Sequence, residues 1–276
     1  MLILKIGGGR DINIDGIAGD LTDIAQPAII VHGANAWRDA LAEQLNVPME
    51  TVTSVRGYDS VLSTDATLDV LLMAYPGLRN KRLVESLQRH GIPAVGLSGL
   101  DGRMIQGKRN AGIQCRQNGK ILIRHDLSGK PLSINIQLLD LLLGGGYVPV
   151  LTVPICDEDG SAISADNDDI VAVLNAQCKA SAVVHLLEAP GFLSDPTDSR
   201  SLLPRMTLAD VKAWEGRSRG RIKRKLHAIG RLLEEYPTRV VLGDGRKEHP
   251  LRDALAGCGT IIEAESPVSE RAGETR

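Results

Sequence analysis

The chain has 276 residues, of which 43% are hydrophobic and 24% charged, and its formal net charge at pH 7 is −2. This balance is typical of a globular protein with a large core, and it excludes a strong general attraction to nucleic acid. Aromatic residues make up only 3% of the chain, which argues against base-stacking surfaces. No apolar stretch is long enough to span a bilayer, so we expect no membrane-embedded segment.

Apolar strand patterns alternate with helical periodicities along the chain. Strands are predicted at 2–6, 28–32, 94–97, 147–153, 182–187 and 240–242. Helices are predicted at 12–25, 36–45, 67–90, 134–143, 168–178, 207–214, 219–236 and 251–256. The alternation predicts an α/β fold, a three-layer αβα sandwich around a mainly parallel open sheet.

Local composition adds detail to this prediction. Pro76 and Gly77 should interrupt the helix at 67–90, and the polar, glycine-rich segment 99–130 should form hairpins that project from the sheet. We predict two lobes, 1–178 and 179–263, followed by a flexible tail at 264–276. The four cysteines, at positions 115, 156, 178 and 258, form no CxxC pair, which indicates reduced core residues of a cytoplasmic protein.

Glycine turns follow the first two predicted strands. Lys5 lies two residues before Gly7 and Gly8, and the second strand ends at His32 and Gly33. The carboxyl ends of parallel strands share one edge of a sheet, where helix N-termini bind anions. A lysine in a buried strand is costly unless it meets an anion. The pair of turns therefore favours a phosphate site, although tight connections alone would also account for glycine.

Three carboxylates, Asp166, Asp168 and Asp169, open the helix predicted at 168–178. Aspartate is a good helix N-cap, so capping accounts for one or two of them. We assign Asp166 to the site and the later two to the helix terminus.

The densest group of cations comprises Arg217, Arg219, Arg221, Lys223, Arg224 and Lys225. A solvated helix face is the ordinary explanation. Docking to an acidic partner is a second, and nucleic acid is disfavoured by the mild acidity of the chain. One lysine of the group is also able to reach the phosphate site. The chain has neither GxxxxGK[ST] nor GxGxxG, so P-loop and Rossmann sites are not indicated.

These motifs together resemble the amino acid kinase family, in particular its acetylglutamate kinase branch. The likeness is strongest to kinases acting on aminoadipate or glutamate held on a LysW-type amino-group carrier protein. It spans residues 2–262 and rests on KIGG at 5–8, VHG at 31–33, NKRLVE at 80–85, GLSGLDGR at 96–103, SAD at 164–166, GRIKRK at 220–225 and DGR at 244–246. The resemblance implies a carbamate-kinase-like fold.

The same resemblance implies roles for individual residues. A substrate carboxylate would attack the γ-phosphoryl group of ATP, flanked by Lys5 and Lys225, with Asp166 holding both lysines. Backbone N–H groups of Gly7, Gly8 and Gly33 would bind phosphate, and Asp244 and Arg246 of the second, nucleotide-binding lobe would lie near ATP. Mg²⁺ would be held mostly by phosphate oxygens and water, without a protein metal site. A cytoplasmic homodimer in lysine or arginine biosynthesis, or in a related secondary pathway, is also implied.

Three positions depart from the family pattern, and all belong to the acceptor side. Ala34 replaces a glycine, Ser164 replaces an asparagine, and Val61 stands where an arginine would bind the substrate carboxylate. We therefore predict an altered acceptor pocket that includes Gly33, Ala34, Val61 and Ser164. Arg56 is predicted to supply the missing guanidinium from the same loop.

A carrier-bound substrate gives the cationic group a second meaning. Arg217, Arg219, Arg221, Lys223 and Arg224 would guide a small acidic carrier protein to the site. Two alternatives stay open: a kinase for free N-acetylglutamate, and a nucleotide-binding paralog that has lost catalysis.

Overall fold

The computed structural model describes residues 1–55, 57–117 and 120–263 of the chain. Its strands are β1 (Leu2–Ile6), β2 (Ala28–His32), β3 (Thr51–Thr53), β4 (Asp59–Val61), β5 (Ala94–Ser98), β6 (Ile105–Arg109), β7 (Ile113–Gln117), β8 (Lys120–Arg124), β9 (Gly129–Ile134), β10 (Val148–Thr152), β11 (Ile155–Cys156), β12 (Ala162–Ile163), β13 (Ala182–Leu187), β14 (Arg205–Thr207), β15 (Arg239–Asp244) and β16 (Thr260–Glu263). Its α-helices are α1 (Ile14–Thr22), α2 (Asn35–Gln44), α3 (Asp65–Leu72), α4 (Asn80–Arg89), α5 (Ile136–Gly144), α6 (Asn167–Cys178), α7 (Leu208–Arg217), α8 (Gly220–Glu235) and α9 (Pro250–Leu255).

An eight-stranded sheet organises the molecule, in the order β14-β16-β15-β13-β1-β2-β10-β5. Every neighbouring pair is parallel except β15 and β16. A smaller sheet has the order β12-β11-β6-β9, and β3-β4 and β7-β8 form separate hairpins. In the large sheet, β1 lies between β2 and β13. The connection that follows β1 leads towards β5 at one edge of the sheet, and the connection that follows β13 leads towards β14 at the other edge. The point between these two connections is the place where open α/β sheets bind ligands.

The two faces of the large sheet are covered by different helices. Leu4 of β1 belongs to a buried cluster with residues of α1, α4 and α9, whereas Ile3 belongs to a cluster with residues of α6 and α8. Successive side chains of a strand point to opposite faces. Lys5 therefore lies on the side of Ile3 and faces α6 and α8.

The predicted segments correspond closely to the observed elements of the central sheet. The helix predicted at 67–90 is divided into α3, a π-helical segment Met73–Arg79 that contains Pro76, and α4. The segment 99–130 contributes β6, β7, β8 and the start of β9, as hairpins. Sequence patterns missed β3, β4, β14 and β16, since strands of three or four residues carry little periodicity.

Other sequence predictions have mixed outcomes. All four cysteines are free, but Cys258 is exposed, so its placement in the core was wrong. The predicted boundary at residue 178 falls at the end of α6. The large sheet contains strands from both sides of this boundary, since β1 pairs with β13. The division into two lobes stays a prediction. The predicted tail lies outside the described residues. Within the described ranges, no helix is both long and apolar enough to cross a membrane.

Candidate active site

The two glycine turns meet at the carboxyl edge of the sheet, but not all their N–H groups face a ligand. The Gly7 N–H donates to Leu186 O at 2.9 Å, and the Gly33 N–H donates to Ile6 O at 2.9 Å. Both groups are used in joining neighbouring strands. The prediction that Gly7 and Gly33 supply phosphate donors is therefore corrected by the structure, and Gly33 serves to turn the chain.

Three other N–H groups lie at this point. Those of Gly8 and Asn35 donate to no acceptor among the described residues, and that of Ala34 lies against the Tyr75 hydroxyl. A Cβ atom on Gly8 would lie 2.7 Å from the Asn35 nitrogen and 2.8 Å from the Ala34 nitrogen, so only glycine fits. Because Ala34 and Asn35 begin α2, the helix dipole adds to the attraction for an anion. We call these three N–H groups the cradle.

Two lysines from distant parts of the chain meet one carboxylate beside the cradle. Lys225 Nζ of α8 donates to Asp168 Oδ2 of α6 at 2.7 Å. Lys5 Nζ of β1 lies 3.5 Å from Asp168 Oδ1. The three side chains are buried, with 10%, 10% and 15% of Lys5, Asp168 and Lys225 exposed. The long contact with Asp168 takes at most one of the three N–H groups of the Lys5 ammonium, so the others are available to a ligand.

The structure exchanges the predicted roles of the first two aspartates. Asp166 is the N-cap of α6, and its Oδ1 accepts from the Asp168 N–H at 2.9 Å. Asp168, two residues later, is turned towards β1 and α8. The assignment of Asp166 to the position between the lysines was therefore wrong, because a capping carboxylate is already directed at the backbone of its own helix.

Electrostatics favours the ionised form of Asp168. Burial opposes ionisation, but the ammonium groups of Lys225 and Lys5 outweigh it and hold the pKa of Asp168 well below its usual value. Burial lowers the pKa of Lys5, and the charge of Asp168 works against that decrease. The cluster of two ammonium groups and one carboxylate thus keeps a net positive charge next to the cradle.

Sequence reasoning missed His185, a buried side chain that lies beside this cluster. His185 of β13 is in register with Lys5 of β1, and its Nδ1 lies 3.6 Å from Asp168 Oδ1. Burial lowers the pKa of His185 to about 4, so the ring is neutral at pH 7. The signal was present in the sequence, since a histidine inside the apolar strand 182–187 needs a polar neighbour.

The β3–β4 hairpin reaches α8 from the other side. Arg224 Nη2 donates to Ser60 Oγ at 2.5 Å, and Arg224 Nη1 lies 3.6 Å from Asp166 Oδ2. Val61 ends β4 next to Ser60. Ser164 lies two residues before Asp166 and donates its N–H to Leu127 O at 2.8 Å. Arg56, predicted to replace the missing guanidinium, lies outside the described residues.

The predicted docking cations differ in their surroundings. Arg217 and Arg219 are exposed, with Arg217 5.7 Å from the ring of Trp214. Lys223 lies 5.3 Å from the ring of Tyr58 in the hairpin, and Arg224 contacts the hairpin as described. The side chain of Arg221 lies outside what the structure describes. Arg217 and Arg219 are thus exposed, while Lys223 and Arg224 are half-buried and contact the hairpin.

The residues predicted near the nucleotide lie at the end of β15, on the opposite side of β1 from β2. Arg246 donates from Nε and Nη2 to the two carboxylate oxygens of Asp244, each at 2.8 Å. This bond lowers the pKa of Asp244. The Gly245 N–H donates to Leu187 O at 2.7 Å, which fixes the loop beside β13.

Taken together, the arrangement suits the transfer of a charged group. Free N–H donors and two ammonium groups converge where negative charge would develop on a phosphoryl group. Within the described ranges, no cluster of three or more His, Cys, Asp or Glu side chains is placed to hold a metal ion.

Comparison with known proteins adds an independent line of evidence. The model of the Amino acid kinase family matches residues 1–244. The LysW-aminoadipate kinase of Deinococcus radiodurans is 39% identical over 266 residues, which cover 95% of this chain and 91% of that protein. The acetylglutamate kinase of Symbiobacterium thermophilum is 30% identical over 274 residues, covering 95% and 90% of the two chains.

The fold has matches among solved structures. Carbamate kinase from Giardia superposes with a TM-score of 0.66 over 96% of this chain and 98% of that one, at 13% identity. At such identity the match shows the fold alone. It confirms the α/β sandwich of carbamate kinase type that was expected from the sequence.

Proposed function

The chain belongs to the amino acid kinase family and is a phosphotransferase, and on that premise we propose that it phosphorylates the side-chain carboxylate of a carrier-linked aminoadipate. ATP is the phosphoryl donor, and the product is an acyl phosphate. The sequence resemblance to this family is confirmed by the family match and by the relatives.

One observation carries the proposal: Lys5 and Lys225 meet on Asp168 beside the N–H groups of the cradle. In the reaction, an oxygen of the acceptor carboxylate forms a bond to the γ-phosphorus while the bond to the bridging β–γ oxygen breaks, and ADP leaves with that electron pair. A carboxylate is ionised at pH 7, so no general base is needed. The protein has to position the reactants and to stabilise the negative charge on the phosphoryl group during its transfer.

Each side chain of the cluster has a distinct task in this proposal. The cradle of Gly8, Ala34 and Asn35 binds the oxygens of the γ-phosphoryl group. Lys5 and Lys225 stabilise the charge that spreads over the transferring group, and Asp168 positions both ammonium groups. Mg²⁺ enters with ATP and is held by phosphate oxygens and water. Asp244 and Arg246, on the β15 side, lie near the nucleotide.

The choice of acceptor rests on the relatives rather than on geometry alone. The relative at 39% identity is named for LysW-aminoadipate, whereas an acetylglutamate kinase is 30% identical. We therefore place LysW-aminoadipate first and free N-acetylglutamate second. The exposed Arg217 and Arg219 would guide an acidic carrier. We further expect a cytoplasmic homodimer that serves amino-acid biosynthesis.

Trapping the acyl phosphate tests the proposal directly. The protein is incubated with ATP, Mg²⁺ and hydroxylamine together with LysW-bound aminoadipate, LysW-bound glutamate or free N-acetylglutamate, and hydroxamate and ADP are measured. We expect stoichiometric hydroxamate and ADP with LysW-bound aminoadipate. A Lys225→Gln variant, which removes one stabilising ammonium, should produce neither above background.

Other outcomes select the alternatives. Preferred turnover of free N-acetylglutamate would assign the protein to that reaction instead. Tight ATP binding without hydroxamate from any acceptor would indicate a nucleotide-binding paralog and would refute the kinase proposal.

A further inference from the structure

Arg224 occupies a place in the site that its neighbours on the cationic run do not share. Its guanidinium bridges Ser60 of the β3–β4 hairpin and Asp166 at the start of α6. With 34% of its side chain exposed, Arg224 is open to a ligand, and Ser60 takes only one of its five N–H groups in a hydrogen bond. The Asp166 contact, at 3.6 Å, is an ion pair longer than a hydrogen bond. Donors of the guanidinium therefore remain for a further acceptor.

The position of Arg224 relative to the phosphoryl cluster is fixed by α8. Arg224 directly precedes Lys225, and adjacent residues of a helix point about 100° apart. Lys225 turns to Asp168, while Arg224 turns to the hairpin. One helical turn thus presents an ammonium and a guanidinium to two separate points of the same site.

The side to which Arg224 turns is that of the acceptor. Asp244 and Arg246 lie at the end of β15, on the β13 side of β1, whereas Asp166 adjoins the region of Tyr75 and Asn35 on the β2 side. Ser60 belongs to the hairpin that precedes α3. The guanidinium therefore faces the half of the site opposite to the nucleotide residues.

We propose that Arg224 binds the α-carboxylate of the acceptor, which is the carboxylate that is not phosphorylated. This inference rests on the proposed function, since it assumes a dicarboxylate acceptor. A guanidinium offers a planar fork that matches a carboxylate in two hydrogen bonds. Ser60 and Asp166 hold that fork in place. Arg224 is then a determinant of acceptor specificity and not a docking cation for a carrier.

A pair of matched acceptors tests this role. LysW-bound aminoadipate is compared with LysW-bound 5-aminopentanoate, which keeps the tether and the reacting carboxylate but lacks the α-carboxylate. We expect the wild type to prefer the dicarboxylate by about 10- to 100-fold in kcat/KM, the range of hydrogen bonds to charged groups. Arg224→Gln should reduce this preference to within about threefold. Arg224→Lys should restore part of it, because it keeps the charge without the fork.

Controls separate this role from folding and from docking. Arg217→Gln, an exposed cation of the same run, should keep the wild-type preference even if both acceptors bind more weakly. Isothermal titration with the same two ligands gives the preference without turnover, and thermal unfolding checks that each variant is folded. N-acetylglutamate and N-acetyl-4-aminobutanoate form the corresponding pair for a shorter, free acceptor.

The outcomes distinguish the two levels of the proposal. If no acceptor yields an acyl phosphate while the wild type still binds the dicarboxylate preferentially through Arg224, the reaction is wrong and the binding site is right. An Arg224→Gln variant that retains the full preference of the wild type overturns the assignment of Arg224. So does a wild type that binds both members of each pair equally.

Discussion

Asp168→Asn removes one negative charge from the point where Lys5 and Lys225 meet, and leaves the shape of the side chain almost unchanged. Lys225 Nζ donates to the carboxylate at 2.7 Å, and all three side chains are at least 85% buried. Removing one partner of a buried ion pair costs about 3–5 kcal/mol, and we expect a value near the lower end because the amide oxygen still accepts from Lys225. For a domain of this size that corresponds to a fall in Tm of roughly 10 °C.

The kinetic effect of the same change separates positioning from binding. Two ammonium groups without a neutralising carboxylate attract ATP at least as well as before, so KM for ATP should not rise. Their positions at the transferring phosphoryl group are lost, so kcat should fall by about 10²–10³, as when a preorganised donor is removed. The assay is ADP release with LysW-bound aminoadipate, measured with thermal unfolding of the same preparations.

Two neighbouring aspartates provide matched comparisons. Asp169→Asn changes the same turn of α6 and should keep wild-type kcat, because Asp169 pairs with Arg231 and not with the lysines. Asp166→Asn preserves a good N-cap and should act mainly on KM for the acceptor through Arg224. If Asp166→Asn lowers kcat as much as Asp168→Asn does, or if Asp168→Asn turns over normally, the assignment of Asp168 is refuted.

Three further predictions follow from the site and its surroundings. Gly8→Ala should lower kcat/KM for ATP at least about 100-fold, because its Cβ would lie 2.7 Å from a cradle nitrogen. Gly144→Ala is the control and should leave kcat/KM unchanged, because its Cβ would have no neighbour within 4 Å. Equal effects of the two changes would contradict the role of the cradle. Burial raises the pKa of Asp169 from 3.8 to about 6. Between about pH 4 and 6 the folded state therefore keeps a proton that the unfolded state releases, and the free energy of unfolding falls as the pH rises through this range. Asp169→Asn should remove that fall and gain roughly 1–2 kcal/mol above pH 7 in thermal unfolding; parallel wild-type and variant profiles would exclude it. Rising salt should lower kcat/KM for the LysW-bound acceptor without changing kcat, and Arg217→Gln with Arg219→Gln should flatten this dependence; a salt-independent wild type would rule out electrostatic docking.

The central sheet was predictable because its strands carry a strong and simple signal. Strands β1, β2 and β13 are buried on both faces and consist mainly of consecutive apolar residues. Their first and last residues were therefore predicted correctly. The hairpin β3–β4 gave no such signal, because its strands have three residues each and are largely exposed. Its importance comes from contacts with α8 that are more than 150 residues away in sequence, such as Ser60 with Arg224.

The site shows the same division between local and distant information. Lys5 was recognisable because a buried lysine before a glycine turn demands an anion. The choice between Asp166 and Asp168 was not, because both carboxylates suit the first turn of a helix and only the packing of α6 against β1 and α8 decides between them. The free donor of Asn35 was equally hidden, since only the structure shows which N–H groups of the two turns already donate to neighbouring strands.

The balance of charge in the cluster explains why a single aspartate, and not a pair of aspartates, lies between the two lysines. Two ammonium groups alone in a buried site would repel each other and would lose protons more easily, and burial lowers the pKa of Lys5. One carboxylate holds both in place and opposes that loss, yet leaves a net positive charge for the transferring phosphoryl group. A second carboxylate would cancel the charge that the reaction needs. His185, neutral beside Asp168, adds a polar neighbour without changing this balance.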